Sequence, residues 1–204
     1  PGGTIVTDSV TSDGIKDFIE KTLGGKHRRF KRGYRNVINE AIRLNSEGVN
    51  APLAIETSGH AAFQENKFID DGAYLIAKLI ALYVKAKAEG KTFKDLLKDL
   101  HEPKETMEIR LRFDNEEHVK YGKNIINRLT QYSYEKPNWT VANDNYDGVR
   151  ISVEDQKGWF LLRLSIHDPV MPLTIESEVE GGCQKILQEL RPFFESEKNI
   201  ICDF

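Results

Sequence analysis

Apolar residues recur at spacings of three and four in the first half of the chain, and more often at spacings of two in the second. Residues 4–7, Thr-Ile-Val-Thr, read as a strand. Ser12 offers a helix cap for a segment whose Ile15, Phe18, Ile19 and Leu23 share one face, and Gly24 with Gly25 ends it. Residues 33–45 carry Val37, Ile38, Ala41, Ile42 and Leu44 at helical period. Residues 52–55 make a short apolar strand that runs into a polar turn at 56–60. The most apolar helix spans 70–89 and includes Tyr74, Leu75, Leu79, Leu82 and Val84. Lys78 and Lys85, seven apart, mark its wet stripe, so burial of most of its circumference is expected. Strands alternating with helices predict a parallel sheet with helices on its faces.

The pattern changes near His101-Glu102-Pro103. Ile109, Leu111 and Phe113 alternate with Arg110 and Arg112, as in a half-buried strand. Asp114 and Glu117 suggest a capping box for a helix carrying Val119, Ile125, Ile126 and Leu129. Strand-like stretches follow at 149–153, 158–165 and 171–176, with Gly158 and Pro169 in the turns between them. A last helix is expected to bury Val179, Cys183, Ile186, Leu187 and Leu190. Grouped strands flanked by helices read as α+β, which puts a boundary near 102 and two domains at 1–102 and 103–204.

Composition narrows the function classes. Hydrophobic residues make up 39% of the 204 and charged residues 30%, a balance that excludes a disordered chain. No apolar run approaches the roughly 18 residues of a membrane span, and no signal-peptide pattern opens the chain. A net charge of -3 gives no global attraction to nucleic acid or anionic lipid. The two cysteines, Cys183 and Cys202, suit a reducing compartment, so a cytoplasmic location is expected. The opening Pro1-Gly2-Gly3 lacks an initiator Met and runs at once into a strand, which suggests a piece of something longer.

Four stretches could carry chemistry. The basic run from Lys26 to Arg32 admits three readings: a solvated loop, a nucleic-acid patch or a cationic rim for a phosphate ester. Gly33-Tyr34-Arg35 favours the last, because a helix start there would present N–H groups to an anion. Glu56-Thr57-Ser58-Gly59-His60 follows a buried-type strand, where open α/β sheets place ligands. Its carboxylate and hydroxyl suit vicinal sugar hydroxyls, and His60 can exchange protons near neutral pH. Asp70-Asp71-Gly72 reads as a helix cap rather than a metal site. Arg163-Leu164-Ser165-Ile166-His167-Asp168-Pro169 ends a strand; it could cradle a phosphate, or Arg163 could pair with an acid. His27, His101 and His118 have no ligand-like partners in the sequence, and neither cysteine has a zinc or redox spacing.

Together these motifs resemble the α-D-phosphohexomutase superfamily, most closely its phosphomannomutase/phosphoglucomutase branch. The stretch from Glu56 to His60, then Phe63 and Asp70-Asp71-Gly72, looks like the family's sugar loop, usually Gly-Glu-x-Ser-Gly-His followed by Asp-Asp-Gly. Gly33-Tyr34-Arg35 is similar to the Gly-x-Lys/Arg turn of its third domain. Asp147-Gly148-Val149-Arg150, Gly158-Trp159 and Arg163-x-Ser165 look like the approach to its C-terminal phosphate loop.

The resemblance implies the third and fourth of four domains. The third would be an α/β mutase domain, a mixed sheet with helices on both faces. The fourth would be an α+β domain resembling the TATA-binding-protein fold. The family's phosphoserine loop (Thr-Ala-Ser-His-Asn-Pro) and magnesium loop (Asp-Gly-Asp-x-Asp-Arg) are both missing from the sequence. The implied chemistry interconverts hexose 1-phosphate and 6-phosphate through a phosphoserine and a bisphosphate intermediate. Mg2+ and glucose 1,6-bisphosphate would serve the full-length enzyme, with neither bound by this fragment, and the fragment alone would be inactive.

In that scheme Glu56 and Ser58 hold ring hydroxyls, and the Glu-x-Ser pattern goes with hexoses rather than N-acetylhexosamine. Arg163, Ser165 and His167 face the non-reacting phosphate, Arg35 adds charge, and His60 is an acid/base candidate. The implied partners are hexose phosphate and the N-terminal domains of the same chain, with no nucleic acid and no membrane. Sugar-binding and phosphate-binding clusters are expected to converge on one ligand. The sequence departs from the usual Arg-x-Ser-Asn/Gly-Thr-x-Pro at Ile166, His167 and Asp168, and has Thr174 where a second Arg is usual. Two other readings stay open: a complete, non-catalytic sugar-phosphate-binding or interaction module, and nucleic-acid binding through the basic run.

Overall fold

A computed structural model describes residues 2–113, 117–165 and 168–201. The chain divides into two compact units, Pro1–Glu102 and Pro103–Phe204.

The first unit holds a four-stranded sheet in the order β2-β1-β3-β4. Its strands are β1 (Thr4–Thr7), β2 (Lys26–Arg29), β3 (Leu53–Ile55) and β4 (Ala61–Phe63). β1 pairs in parallel with β2 and β3, while β4 runs antiparallel to β3, so the sheet is mixed and not the wholly parallel one that alternation predicts. The physical reason is a tight turn: the Glu56 N–H donates to the His60 carbonyl (2.9 Å), which reverses the chain in too few residues for a helical crossover. Helix α1 (Asp13–Asp17) is capped by the Ser12 hydroxyl, which accepts from the Gly14 N–H at 3.1 Å, and it continues as a π-turn to Thr22. Helix α2 (Tyr34–Ser46) sets Val37 and Ala41 against Val6 and Ala54. The β1-α1-β2 and β2-α2-β3 crossovers run in opposite directions, and their right-handedness sends α1 and α2 to opposite faces. Lys26–Arg29 is therefore an edge strand, which corrects the reading of the basic run as a solvated loop.

Helix α3 (Gly72–Ala88) is followed by the short helix α4 (Phe93–Leu96). Burial of most of the α3 circumference does not occur: Ile76 and Ile80 are each 58% exposed and Val84 61%, and Ala86 is its one buried residue. The helix meets the rest of the unit through its first turns. Tyr74 sits edge-on to Phe63 at 5.6 Å, and Lys78 pairs with Glu65 and lies over the Phe63 ring at 5.3 Å. Ile76, Leu79, Ile80 and Tyr83 line an open hollow of about 240 Å³ with Phe93. An apolar circumference shows that a helix is suited to cover, but it does not specify the covering surface. Among the described residues no helix is long and apolar enough to cross a membrane.

The second unit is a six-stranded sheet, β10-β5-β9-β8-β7-β6, with every pairing antiparallel. Its strands are β5 (Glu105–Phe113), β6 (Trp139–Val141), β7 (Gly148–Val153), β8 (Gly158–Arg163), β9 (Val170–Ser177) and β10 (Ile200–Ile201). Helices α5 (His118–Ser133) and α6 (Gly182–Glu195) place Ile125, Leu129, Ile186 and Leu190 over Leu111, Ile151, Phe160 and Leu173 in one core. Val179 lies in the turn before α6 rather than on it: Glu105 accepts from the Gly181 and Cys183 N–H groups (2.6 and 3.2 Å), which starts the helix later. Of the suggested capping box, Asp114 lies outside the described residues, and Glu117 occupies the cap position without a side-chain capping bond. The architecture is thus an α/β unit followed by an α+β unit.

Candidate functional site

The polar turn after β3 is built by contacts from three other segments. Glu56 is 8% exposed, and both its oxygens have donors: Oε1 accepts from the Gly33 N–H at 2.6 Å and Oε2 from the Ser58 hydroxyl at 3.2 Å. Gly33 has φ +114, a conformation that strains residues with a side chain, and there its N–H meets the carboxylate at the start of α2. Glu56 therefore supplies the negative charge that a helix N-terminus favours. Of the N–H groups expected to meet an anion at this helix start, that of Gly33 is thus already taken by Glu56. A carboxylate has about four lone-pair positions, so two remain for a ligand hydroxyl.

Thr57 anchors the same turn. Its hydroxyl donates to Asp8 Oδ2 at 2.8 Å, and Asp8 Oδ1 accepts from the Thr11 hydroxyl at 2.9 Å. Asp8 is fully buried at the carboxyl end of β1, so the turn is fixed to the centre of the sheet. Ser58 and Gly59 stay exposed at the tip. Beside them His60 Nδ1 lies 2.7 Å from Asp70 Oδ2, and its ring stacks on Tyr34 with centroids 5.1 Å apart. Arg35 Nε donates to the Tyr34 hydroxyl at 3.1 Å. Glu56, Ser58, His60 and Arg35 are thus brought together on one edge of the first unit.

Sequence reasoning missed Asp70 and Tyr34 as members of this group. Asp71 is the helix cap, accepting from the Tyr74 N–H at 3.0 Å, which leaves Asp70 for His60. Tyr34 stands inside the Gly33-Tyr34-Arg35 motif, but its partner ring comes from a distant turn. The basic run contributes less than expected. Arg28 Nε donates to Glu40 at 2.9 Å, Arg29 donates to the Thr11 carbonyl and to Asp13, and His27 Nε2 meets the Thr7 hydroxyl at 2.7 Å. These side chains hold β2 to its neighbours.

In the second unit Arg163 ends β8 opposite Gly148. A Cβ on Gly148 would come within 2.2 Å of the Leu162 carbonyl oxygen and 2.8 Å of the Arg163 Cα, so only glycine lets the strands close at Arg163. The Ser165 N–H donates to the Val170 carbonyl at 3.0 Å, and its hydroxyl accepts from the Asp168 N–H at 3.3 Å, which ties the loop after the strand. Ile166 and His167 lie outside the described residues. Among the described residues no group of three or more His, Cys, Asp or Glu is placed to hold a metal ion.

Residues 1–103 match the family model for phosphoglucomutase/phosphomannomutase, alpha/beta/alpha domain III. The chain belongs to the phosphoglucomutase/phosphomannomutase family. It is 29% identical over 188 residues to the phosphomannomutase/phosphoglucomutase of Pseudomonas syringae, covering 91% of this chain and 36% of that relative. The crystal structure of a phosphoglucomutase/phosphomannomutase family protein from Burkholderia thailandensis superposes with a TM-score of 0.74 at 25% identity, over 97% of this chain and 38% of that one. The fold alone is shared with Aspergillus fumigatus N-acetylphosphoglucosamine mutase, determined in complex with glucose 1,6-bisphosphate. There the TM-score is 0.56 at 12% identity, over 93% of this chain and 38% of that one. The chain thus spans well under half the length of these relatives.

Proposed function

We propose that the chain is the third and fourth domains of a phosphohexomutase that interconverts hexose 1-phosphate and hexose 6-phosphate, and that it supplies substrate recognition rather than the phosphoryl-transfer machinery. The observation that carries this reading is the Glu56–Ser58–His60 turn, with a carboxylate, a hydroxyl and an imidazole held together on the unit that matches domain III. In such a reaction positioning and charge stabilisation do most of the work. Glu56 accepts from ring hydroxyls, Ser58 donates or accepts beside it, and His60 moves a proton on the sugar oxygen. Arg35 adds positive charge. Arg163 and Ser165 hold the non-reacting phosphate, with His167 as a third contact.

The sequence contains neither the phosphoserine loop nor the magnesium loop of the family, so the phosphoserine, Mg2+ and bisphosphate chemistry belongs to the remainder of the full-length enzyme. The proposed partners are hexose phosphate and those N-terminal domains, in the cytoplasm. Incubating this chain with glucose 1-phosphate, glucose 1,6-bisphosphate and Mg2+ is expected to yield no glucose 6-phosphate; turnover would refute the assignment of roles. Titrating glucose 1-phosphate into the labelled chain is expected to perturb resonances at Ser58 and His60. Ser58→Ala is expected to weaken that binding about five-fold to ten-fold, as loss of one hydrogen bond does.

A further inference from the structure

We infer that Asp70 and Tyr34 are positioning residues for His60: the Asp70 carboxylate holds the imidazole as its Nδ1–H tautomer, and the Tyr34 ring fixes its plane. Nε2 is then the nitrogen left to accept and return a proton. At neutral pH a carboxylate only accepts hydrogen bonds, so the 2.7 Å contact between Asp70 Oδ2 and His60 Nδ1 requires the proton on Nδ1. The imidazole lies 25° from the plane of the Tyr34 ring at a centroid distance of 5.1 Å, so rotation about the side-chain bonds would break the stack. A hydrogen bond on one edge and a ring on one face leave few orientations open.

Both positioning groups are themselves fixed by the backbone. Asp70 forms an isolated antiparallel bridge with Ala62 on β4, and Asp71 beside it caps α3. Tyr34 is the first residue of α2, directly after the Gly33 N–H that Glu56 holds. The imidazole orientation is therefore tied to the same carboxylate proposed for the sugar. Arg35 bonds to the Tyr34 hydroxyl, and the ion pair to the imidazole is made by Asp70.

The role of Nε2 rests on the proposed mutase reading, but the tautomer does not, because it is measured without ligand. Long-range 1H–15N spectra of the chain labelled at histidine, recorded above the usual imidazole pKa of about 6.5, report which nitrogen carries the proton. His60 is expected to show a protonated Nδ1 and a bare Nε2. Asp70→Ala is expected to move the proton to Nε2, and Asp70→Glu, which keeps a carboxylate, to retain the Nδ1–H form. Tyr34→Phe should leave the signals unchanged, whereas Tyr34→Ala should average the His60 ring environment. The backbone fingerprint of each variant checks that it has folded. A wild-type His60 protonated on Nε2, or an Nδ1–H form that survives Asp70→Ala, would overturn the inference. A chain with the expected tautomer that binds no hexose phosphate would count against the mutase reading alone.

Discussion

Glu40 lies on the buried side of α2 between two guanidinium groups. Arg43 donates to it through Nε and Nη2 at 2.8 and 2.9 Å, and Arg28 through Nε at 2.9 Å. The hydrogen bonds from Arg43, and then those from Arg28 with both positive charges, hold its carboxyl below the ordinary value of 4.5 against the opposing effect of burial. A carboxyl lowered in the folded state adds stability that is complete above its unfolded value and disappears as pH falls through the folded one. Glu40→Gln is expected to cost about 1–2 kcal/mol in urea unfolding near pH 7, and less as the pH approaches the acid transition. Cys183 illustrates the opposite shift. Burial first, then the nearby charges of Glu105 and Glu176, push its thiol up to about 11. At a pH of about 8 it stays protonated, and the thiolate is the reactive form. Peptide mapping after iodoacetamide treatment of the native chain is expected to find Cys183 unlabelled, with labelling once the second unit is unfolded.

At the scale of elements the two long apolar helices behave differently. On α6, Ile186 and Leu190 are fully buried against the six-stranded sheet. On α3, Leu79 and Ile80 face outward. Leu190→Ala is expected to cost about 2–5 kcal/mol, because it leaves a cavity in a packed core. Ile80→Lys is expected to change stability by less than about 0.5 kcal/mol, since it buries no charge and vacates no core. Chemical denaturation of the two variants separates these outcomes. The contrast also marks a limit of pattern reading. Period-two alternation located β5, because a strand with one buried face repeats its demand at every second residue; β7, β8 and β9 read only as strand-like stretches and are buried along most of their length. β6 and β10, at three and two residues, are too short to display a period. The α3 sequence announces an apolar circumference without saying which part of it meets the rest of the unit, and the contacts prove to be those of Tyr74 and Lys78 with Phe63.

At the scale of the molecule, the basic run shows how tertiary pairing changes the meaning of a charge pattern. The Arg29 side chain is 6% exposed and bonded to Thr11 and Asp13, and Arg28 is paired with Glu40. With these two cations paired to carboxylates and a net charge of -3, the run presents less unneutralised charge to a polyanion than its composition suggests. Titration with a duplex or single-stranded oligonucleotide at low salt is expected to show no measurable binding; steeply salt-dependent affinity would overturn that. The candidate site follows the same logic. Glu56, Ser58 and His60 were legible because they are contiguous and follow an apolar strand. Asp8, 49 residues from Thr57, was not, because no local period links β1 to the turn it anchors.

Local rules in the sequence located the longer helices and the strands β1, β3, β5, β7, β8 and β9, the change of character near residue 102, and the short motif that carries a carboxylate, a hydroxyl and an imidazole. Each of these depends on neighbours within a few residues, so a linear reading suffices. Only the tertiary structure decided that Glu56 holds the start of α2, that Asp70 faces His60 while Asp71 caps α3, and that the α3 apolar side is left uncovered by its own sheet. Those outcomes depend on which distant donors and acceptors the sheet topology brings within hydrogen-bonding distance, and that choice is made in space rather than along the chain.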